Sequence, residues 1–258
     1  CFAHSVCYVS PKISDIILMG SERIHLFDTP LLVSRNMGLA VDQRAAKRVM
    51  DILISGIGII ITSPIMLIIA IAVKAYDRGP VFYFQDRLTL GGKPFKICKF
   101  RSMCVDSEKN GARLASKHDS RITPVGHVLR NLHLDELPQL FNVFKGDMSL
   151  VGPRPERESI MLEYEKELPE FYYRLKVKAG LTGYAQVYGK YNTTPYDKLK
   201  LDLFYIENYS FLLDIKLIFM TVKIFFQKEV SEGVDDRQVN ALKDSGKNAG
   251  VSENKTEE

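Results

Sequence analysis

Two adjacent carboxylates, Asp135 and Glu136, stand in the run NLHLDELPQLFNVFKGDMSLVGPRP at residues 131–155. Pro138 follows them closely, and proline is tolerated in a first helical turn because its missing N–H would have no partner there. Leu140, Phe141 and Phe144 then recur at helical spacing. The pair is therefore expected at a helix N-terminus, where free N–H groups and the dipole favour an anion such as phosphate. Acidic residues so placed are most often plain caps. The basic residues here point further, with Arg130 before the pair and Arg154 after it, held in a stiff Pro153-Arg154-Pro155. A guanidinium grips two phosphate oxygens in a fixed fork. A carboxylate nucleophile, a carboxylate able to bind metal and phosphate-clamping arginines together suggest phosphoryl transfer.

The elements that must position these residues are partly visible. Residues 52–73 carry no formal charge, and about 20 apolar residues suffice to cross a hydrocarbon core as a helix. Ser63-Pro64 interrupts the run at its middle, where proline breaks the backbone ladder and serine can satisfy a freed carbonyl. Its flanks are basic on both sides, Arg44, Lys47 and Arg48 before and Lys74 and Arg78 after. Equal positive flanks fit a helix that enters, bends and returns to one face, whereas a through-span usually shows asymmetry; a kinked span stays open. Residues 81–84 and 95–98 are strand candidates around a turn at Gly91-Gly92. Residues 157–176 read as an amphipathic helix interrupted near Pro169, and 180–189 as a loop with three glycines. The apolar stretch 211–227 carries Asp214, Lys216 and Lys223; it suits an interfacial helix or a core helix. The first 43 residues hold a short strand candidate at 6–9, a short amphipathic stretch and a loop at 27–32, and a fragment of this size is expected to pack poorly. Residues 231–258 are polar, charged and expected to be disordered.

Composition excludes some classes. The chain has 258 residues, is 46% hydrophobic and carries a net charge of +4. That supports one sizeable domain with smaller pieces. The charge excess is too small to argue for nucleic acid, and no nucleic-acid-binding motif is present; it suits anionic lipid and anionic substrates. Cys1, Cys7, Cys98 and Cys104 form no CxxC pair, which fits free thiols in a reducing compartment. The chain begins at Cys1 and is expected to be part of a longer protein.

Several blocks together resemble the bacterial sugar transferases, the monotopic phosphoglycosyl transferases that load a phosphosugar onto a polyprenyl phosphate. They are Lys47-Arg48-Val49-Met50-Asp51, Gly79-Pro80-Val81-Phe82 with Gln85 and Arg87, Lys99-Phe100-Arg101-Ser102-Met103, Arg121-Ile122-Thr123-Pro124-Val125-Gly126, the acidic run itself, and Gly180-Leu181-Thr182-Gly183-Tyr184-Ala185-Gln186. They run in order from about residue 44 to about 230. The resemblance implies an α/β fold, mainly α with short strands. It implies a re-entrant membrane hairpin turning at Ser63 and Pro64, with a cytosolic catalytic domain at 44–230 that carries interfacial amphipathic helices. Residues 1–43 would be the tail of a nucleotide-binding-like domain and linker, as in larger members. The implied reaction takes a UDP-sugar and undecaprenyl phosphate, releases UMP and passes through an aspartyl-phosphosugar on Asp135, starting an exopolysaccharide, capsule or related glycan. The implied location is the cytoplasmic leaflet of the inner membrane. A membrane-anchored assembly module without turnover is the alternative.

Carried onto this chain, the resemblance makes Asp135 the nucleophile and Glu136 either a ligand of Mg²⁺ or a group that handles a proton. Arg130 and Arg154 are the expected phosphate clamps. Lys99 and Arg101 would contact phosphate or lipid headgroups, and Gln139 would orient substrate or face solvent. Gly180, Gly183 and Gln186 are expected on the nucleoside side, and His133 invites a general-base role that an ionised carboxylate does not need. Two departures stand out: Thr89 replaces the glycine usual two residues after Arg87, and Ala179 replaces the proline usual before Gly180.

Overall fold

The computed structural model describes residues 10–19, 21–26, 29–33, 39–105, 119–189 and 193–225. The strand expected at 6–9 and the tail at 231–258 lie outside them. In chain order the elements are α1 (Ile13–Met19), β1 (Glu22–Leu26), β2 (Thr29–Val33), α2 (Val41–Asp77), β3 (Phe82–Leu88), β4 (Pro94–Phe100), α3 (Pro124–Asn131), α4 (Gln139–Lys145), β5 (Ser149–Val151), α5 (Glu158–Glu167), β6 (Gly180–Thr182), α6 (Tyr184–Tyr188), α7 (Pro195–Glu207) and α8 (Phe211–Phe225). Helices dominate, and the strands pair two by two: β1 with β2 and β3 with β4 antiparallel, β5 with β6 parallel.

α2 organises the rest. Its 37 residues extend about 55 Å at 1.5 Å per residue. Lys47, Asp51, Ser55, Met66, Ile69 and Val73 are buried along it, at steps that keep them on one stripe. Ile59 bridges the two hydrophobic clusters beneath it. The larger cluster gathers Phe95, Val143, Val151, Phe171, Leu203 and Leu217; the smaller one joins Met66, Ile69 and Val73 to Phe100 and Leu129. The other side of α2 exposes Ile57, Ile60, Ile61, Leu67, Ile68 and Ile71. Among the described residues α2 is the one helix long and apolar enough to cross a membrane.

Helical structure runs unbroken through Ser63 and Pro64, so any bend at the expected turn lies within one continuous helix. Local chemistry explains the continuity. Pro64 leaves the Ile60 carbonyl without its backbone donor, and Ser63 Oγ donates to that oxygen at 2.8 Å.

Some local expectations are corrected, and others hold. The loop expected at 27–32 is mostly β2, where Pro30 faces His25 in a two-stranded ribbon that tolerates proline on its edge. α1 packs on the larger cluster through its buried Ile13 and Ile16. The glycine-rich stretch 180–189 holds β6 and α6. α8 has two different faces. Asp214 and Leu217 are fully buried, whereas Leu212, Lys216, Phe219, Val222 and Lys223 are exposed. The β3–β4 hairpin forms as expected around Gly91 and Gly92, both at positive φ, and the helix at 157–176 breaks at Pro169.

Candidate active site

Asp135 and Glu136 are delivered by a chain reversal after α3. Thr123 caps α3, its Oγ1 accepting from Gly126 N at 2.9 Å. A Cβ on Gly126 would lie 1.9 Å from the Ser102 carbonyl oxygen, so only glycine lets the helix start against the strand exit. At the far end His133 adopts a left-handed φ of 52°. The chain then makes one 3₁₀ turn at Leu134–Glu136 before α4 begins at Gln139. The acidic pair therefore precedes α4 in a turn of its own, a correction to the expected helix N-terminus. Leu134 and Leu137 pack on the cluster of Met66, Val73 and Phe100, leaving Asp135 and Glu136 between two half-buried anchors.

α4 is fixed by residues whose role the sequence did not disclose. Asn142 Nδ2 donates to the Lys96 carbonyl at 2.8 Å and its Oδ1 accepts from Cys98 N at 2.9 Å, locking α4 to β4. Arg48 of α2 donates to the carbonyls of Val143 and Phe144, both at 2.8 Å, satisfying the open C-terminal end of α4. Asp51 Oδ1 accepts from Ser149 Oγ at 3.0 Å and Leu150 N at 2.9 Å, holding β5. Lys47 donates to Asp214 and to Tyr205 Oη in the buried joint of α2, α7 and α8. The Lys47-Arg48-Val49-Met50-Asp51 block thus fastens the long helix to both sides of the site.

Arg154 comes from the loop after β5, and that loop is clamped from beneath. Gly180 N donates to the Pro153 carbonyl at 2.9 Å, and Gly152 N to the Thr182 carbonyl at 2.8 Å. A Cβ on Gly180 or Gly183 would come within 2.1 Å of Gly152 backbone. These glycines let two backbones meet, which supplies a reason for them other than the expected nucleoside contact. Gln186 Nε2 likewise donates to the Leu181 carbonyl at 3.2 Å. Below, Arg174 Nη2 donates to the Arg154 carbonyl at 3.0 Å and pairs with Asp202 at 2.7 Å. Glu156 pairs with Lys198, with Arg174 at 3.6 Å and with Arg87 at 3.8 Å. No local signal reveals this network, because its members lie far apart in sequence.

The expected residues then sort themselves. Lys99 Nζ donates to Glu136 Oε1 at 2.6 Å, and Arg154 Nη2 donates to the same oxygen at 2.8 Å. Burial works against the Glu136 charge, but Arg154 and Lys99 overcome it and hold the carboxyl well below its ordinary range. Glu136 in turn raises the Arg154 pKa despite burial. Asp135 accepts no hydrogen bond among the described residues. Burial pushes its carboxyl up; Glu136 adds to that shift, and Lys99, Arg130 and His133 oppose it. Arg130 belongs to this charge set from the last turn of α3.

Two expected members sit elsewhere. Both terminal nitrogens of Arg101 are taken by Asp77, and its Nε donates to the Pro80 carbonyl at 2.6 Å. Arg101 therefore ties the end of α2 to β4, with each of its three nitrogens engaged in a protein hydrogen bond. Gln139 is 2% exposed and its Nε2 has no partner among the described residues, so it does not face solvent.

The donor chemistry suits a hard cation. No group of three His, Cys, Asp or Glu side chains gathers among the described residues. Mg²⁺ would take most of its ligands from water and phosphate oxygens. Glu136 Oε1 is occupied by two cations, so its second oxygen and the Asp135 carboxylate are the groups left for a metal.

A family model described as Bacterial sugar transferase matches residues 42–228. The chain is 46% identical over 180 residues to the UDP-N-acetylgalactosamine-undecaprenyl-phosphate N-acetylgalactosaminephosphotransferase of Aeromonas hydrophila, an overlap of 69% of this chain and 43% of that protein. It is 43% identical over 208 residues to the UDP-glucose:undecaprenyl-phosphate glucose-1-phosphate transferase of Klebsiella pneumoniae, covering 79% of this chain and 43% of the relative. A Caulobacter vibrioides protein named for the same glucose reaction is 36% identical over 235 residues, 86% of each chain. The chain thus spans less than half the length of the first two relatives.

Proposed function

The chain belongs to the bacterial sugar transferase family, and from that premise we propose that it transfers a phosphosugar from a UDP-sugar to undecaprenyl phosphate and releases UMP. The observation that carries this reading is the contrast within the pair. Among the described residues the Asp135 carboxylate accepts no hydrogen bond, one residue from a Glu136 that is paired to two cations. A nucleophile must keep its lone pairs available.

In the first step an Asp135 oxygen attacks the sugar-bearing β-phosphorus, and the bond to UMP breaks, its electron pair leaving with the UMP oxygen. In the second, an oxygen of the lipid phosphate attacks the same phosphorus, and the acyl-phosphate bond breaks to restore Asp135. Both steps bring an anion toward a phosphate. Lys99, Arg130 and Arg154 offset that repulsion. When bound, Mg²⁺ would supply further charge neutralisation at the phosphates, held by Glu136 through its second oxygen.

The lipid acceptor requires a membrane, and two features support a re-entrant seat on one leaflet. Both halves of α2 are fastened to the same catalytic domain, Lys47 and Asp51 near one end and Met66, Val73 and Asp77 near the other. A simple span would carry its second half to the opposite side, away from these partners. The exposed apolar side of α2 and the exposed Leu212, Lys216, Phe219 and Lys223 stripe of α8 then supply the lipid contacts. Single cysteines at residues 44 and 78 should both label from the cytoplasmic side; labelling from opposite sides would sink the re-entrant reading.

Incubation with UDP-sugar and Mg²⁺ but no lipid should release up to about one UMP per site, leaving labelled sugar phosphate on the peptide holding Asp135. Addition of undecaprenyl phosphate should discharge the label into the organic phase. If UMP appears only when both substrates are present, transfer is direct and Asp135 is not the nucleophile.

A further inference from the structure

We propose that Glu136 holds, in the substrate-free enzyme, the seat of the substrate's diphosphate, and that Lys99 and Arg154 pass from its carboxylate to phosphate when the sugar nucleotide binds. The inference rests on the reaction proposed above and adds how the site receives its anion. Lys99 comes from β4 and Arg154 from the loop after β5, and both converge on one oxygen of Glu136. Two cations so close need an anion between them, and in the free protein that anion is a side chain.

Three observations make the arrangement an exchange site. First, the two cations have unspent donors. A guanidinium offers five N–H groups and an ammonium three; among the described residues Arg154 and Lys99 each direct one hydrogen bond to Glu136 Oε1. The neighbouring arginines differ. Arg48 donates to two backbone carbonyls, and Arg101 engages all three of its nitrogens with Asp77 and Pro80, so both are tied to more protein acceptors than Arg154 is. Second, the Arg154 side chain is 45% exposed, while its carbonyl is pinned by Arg174 and its neighbours are prolines. The guanidinium can change partners without the loop moving. Third, Glu136 sits in a single 3₁₀ turn whose backbone bonds are long, 3.2 Å from Glu136 N to the His133 carbonyl and 3.3 Å from Leu137 N to the Leu134 carbonyl. The element that must yield is a weakly bonded one.

The exchange makes an unusual prediction, namely that removal of the Glu136 charge tightens substrate binding. The probe is UDP, measured by calorimetry on the full chain in EDTA, so that metal ligation has no part. Glu136→Gln should bind UDP about tenfold more tightly than wild type, because Lys99 and Arg154 are no longer neutralised internally. Adding Lys99→Met to that variant should erase the gain. Lys99→Met alone should weaken binding, which tests the proposal even if the Gln variant fails to fold. An unchanged or weaker UDP affinity in a folded Glu136→Gln, with wild type still transferring phosphosugar, would overturn the exchange alone. A wild type that neither binds UDP nor transfers phosphosugar would overturn the reaction on which it rests.

Discussion

Two acidic centres lie on this molecule, and they use carboxylates in opposite ways. At the foot of α2, Asp51 accepts from Ser149 and Leu150, while Asp214 receives Lys47 and Tyr205 Oη. At the Asp135-Glu136 pair, Glu136 is gripped through one oxygen and Asp135 has no donor among the described residues. The first centre is buried and both its carboxylates are bonded to protein donors; in the second, one carboxylate of the pair is not. Both are motifs of acidic and basic residues in the sequence, and the structure separates the fastening from the proposed reactive centre. Reactivity here is read from what a charged group has left to bind.

The comparison predicts a double dissociation, and its largest arm is Asp135→Asn. The amide is nearly isosteric and not nucleophilic, so transfer should fall by several powers of ten while the melting temperature stays near that of wild type. Turnover above about one percent of wild type would remove Asp135 from the covalent role.

The opposite arm is Asp51→Ala. Leu150 N and Ser149 Oγ would lose their acceptor in a buried place, and Lys47 would lose a nearby countercharge. Orphaned buried groups cost roughly 1–3 kcal/mol each, so a loss of about 3 kcal/mol is expected. For a domain of this size that is a melting-point drop of about 6–12 °C. Activity per folded molecule, measured well below the melting point, should change much less than for Asp135→Asn. Equal collapse of activity in the folded Asp51 variant would break the distinction between the two centres.

How much of this was legible in the sequence divides along the same line. Periodicity exposed α2, the β3–β4 hairpin and the break at Pro169, because each is decided by neighbours a few residues away. The grouping of Asp135, Glu136, Lys99 and Arg154 was legible from the charged blocks, and the structure brings those four together. The pairing of Arg101 with Asp77 was not, because Asp77 belongs to a different element. The stretch at 180–189 was misread as loop because its glycines were weighed by local propensity, whereas their reason is the approach of Gly152. Arg174, Glu156, Asp202 and Lys198 gave no signal at all, since only the packed fold makes them neighbours.

A third test concerns the support under Arg154, where Glu156 is buried. Burial raises its pKa, yet Lys198 and Arg174 outweigh this and bring it down to about 2 from the ordinary 4.5. A depressed carboxylate pKa contributes stability above the unfolded value, and that contribution is lost as pH falls from about 4.5 toward 2. Wild type should therefore be more stable than Glu156→Gln at pH 7, by something on the order of 2 kcal/mol, with the difference shrinking toward pH 3. Urea titrations of both proteins at pH 7, 4.5 and 3 measure it; a gap independent of pH would mean that charge is not what Glu156 contributes.

The smallest effect concerns the two departures from the family pattern, which turn out to touch. Thr89 Oγ1 donates to the Asp147 carbonyl at 3.0 Å and accepts from Ala179 N at 3.2 Å. A glycine at 89 would offer no acceptor, and a proline at 179 would have no N–H to donate. The two substitutions therefore answer one another, since each would be idle or costly without its partner. Thr89→Gly alone strands the buried Ala179 N–H and should cost about 1 kcal/mol or slightly more. Ala179→Pro alone removes the donor and should cost a similar amount, offset in part by a stiffer unfolded chain. In the double variant no N–H is left stranded, so the combined loss should fall short of the sum by about 1 kcal/mol. Chemical denaturation of the four proteins gives this coupling directly, and additivity within about 0.4 kcal/mol would show that the contact carries no energy of its own. Transfer activity should be unchanged throughout, because the bond joins the strand exit of β3 to β6 and reaches neither Asp135 nor Glu136.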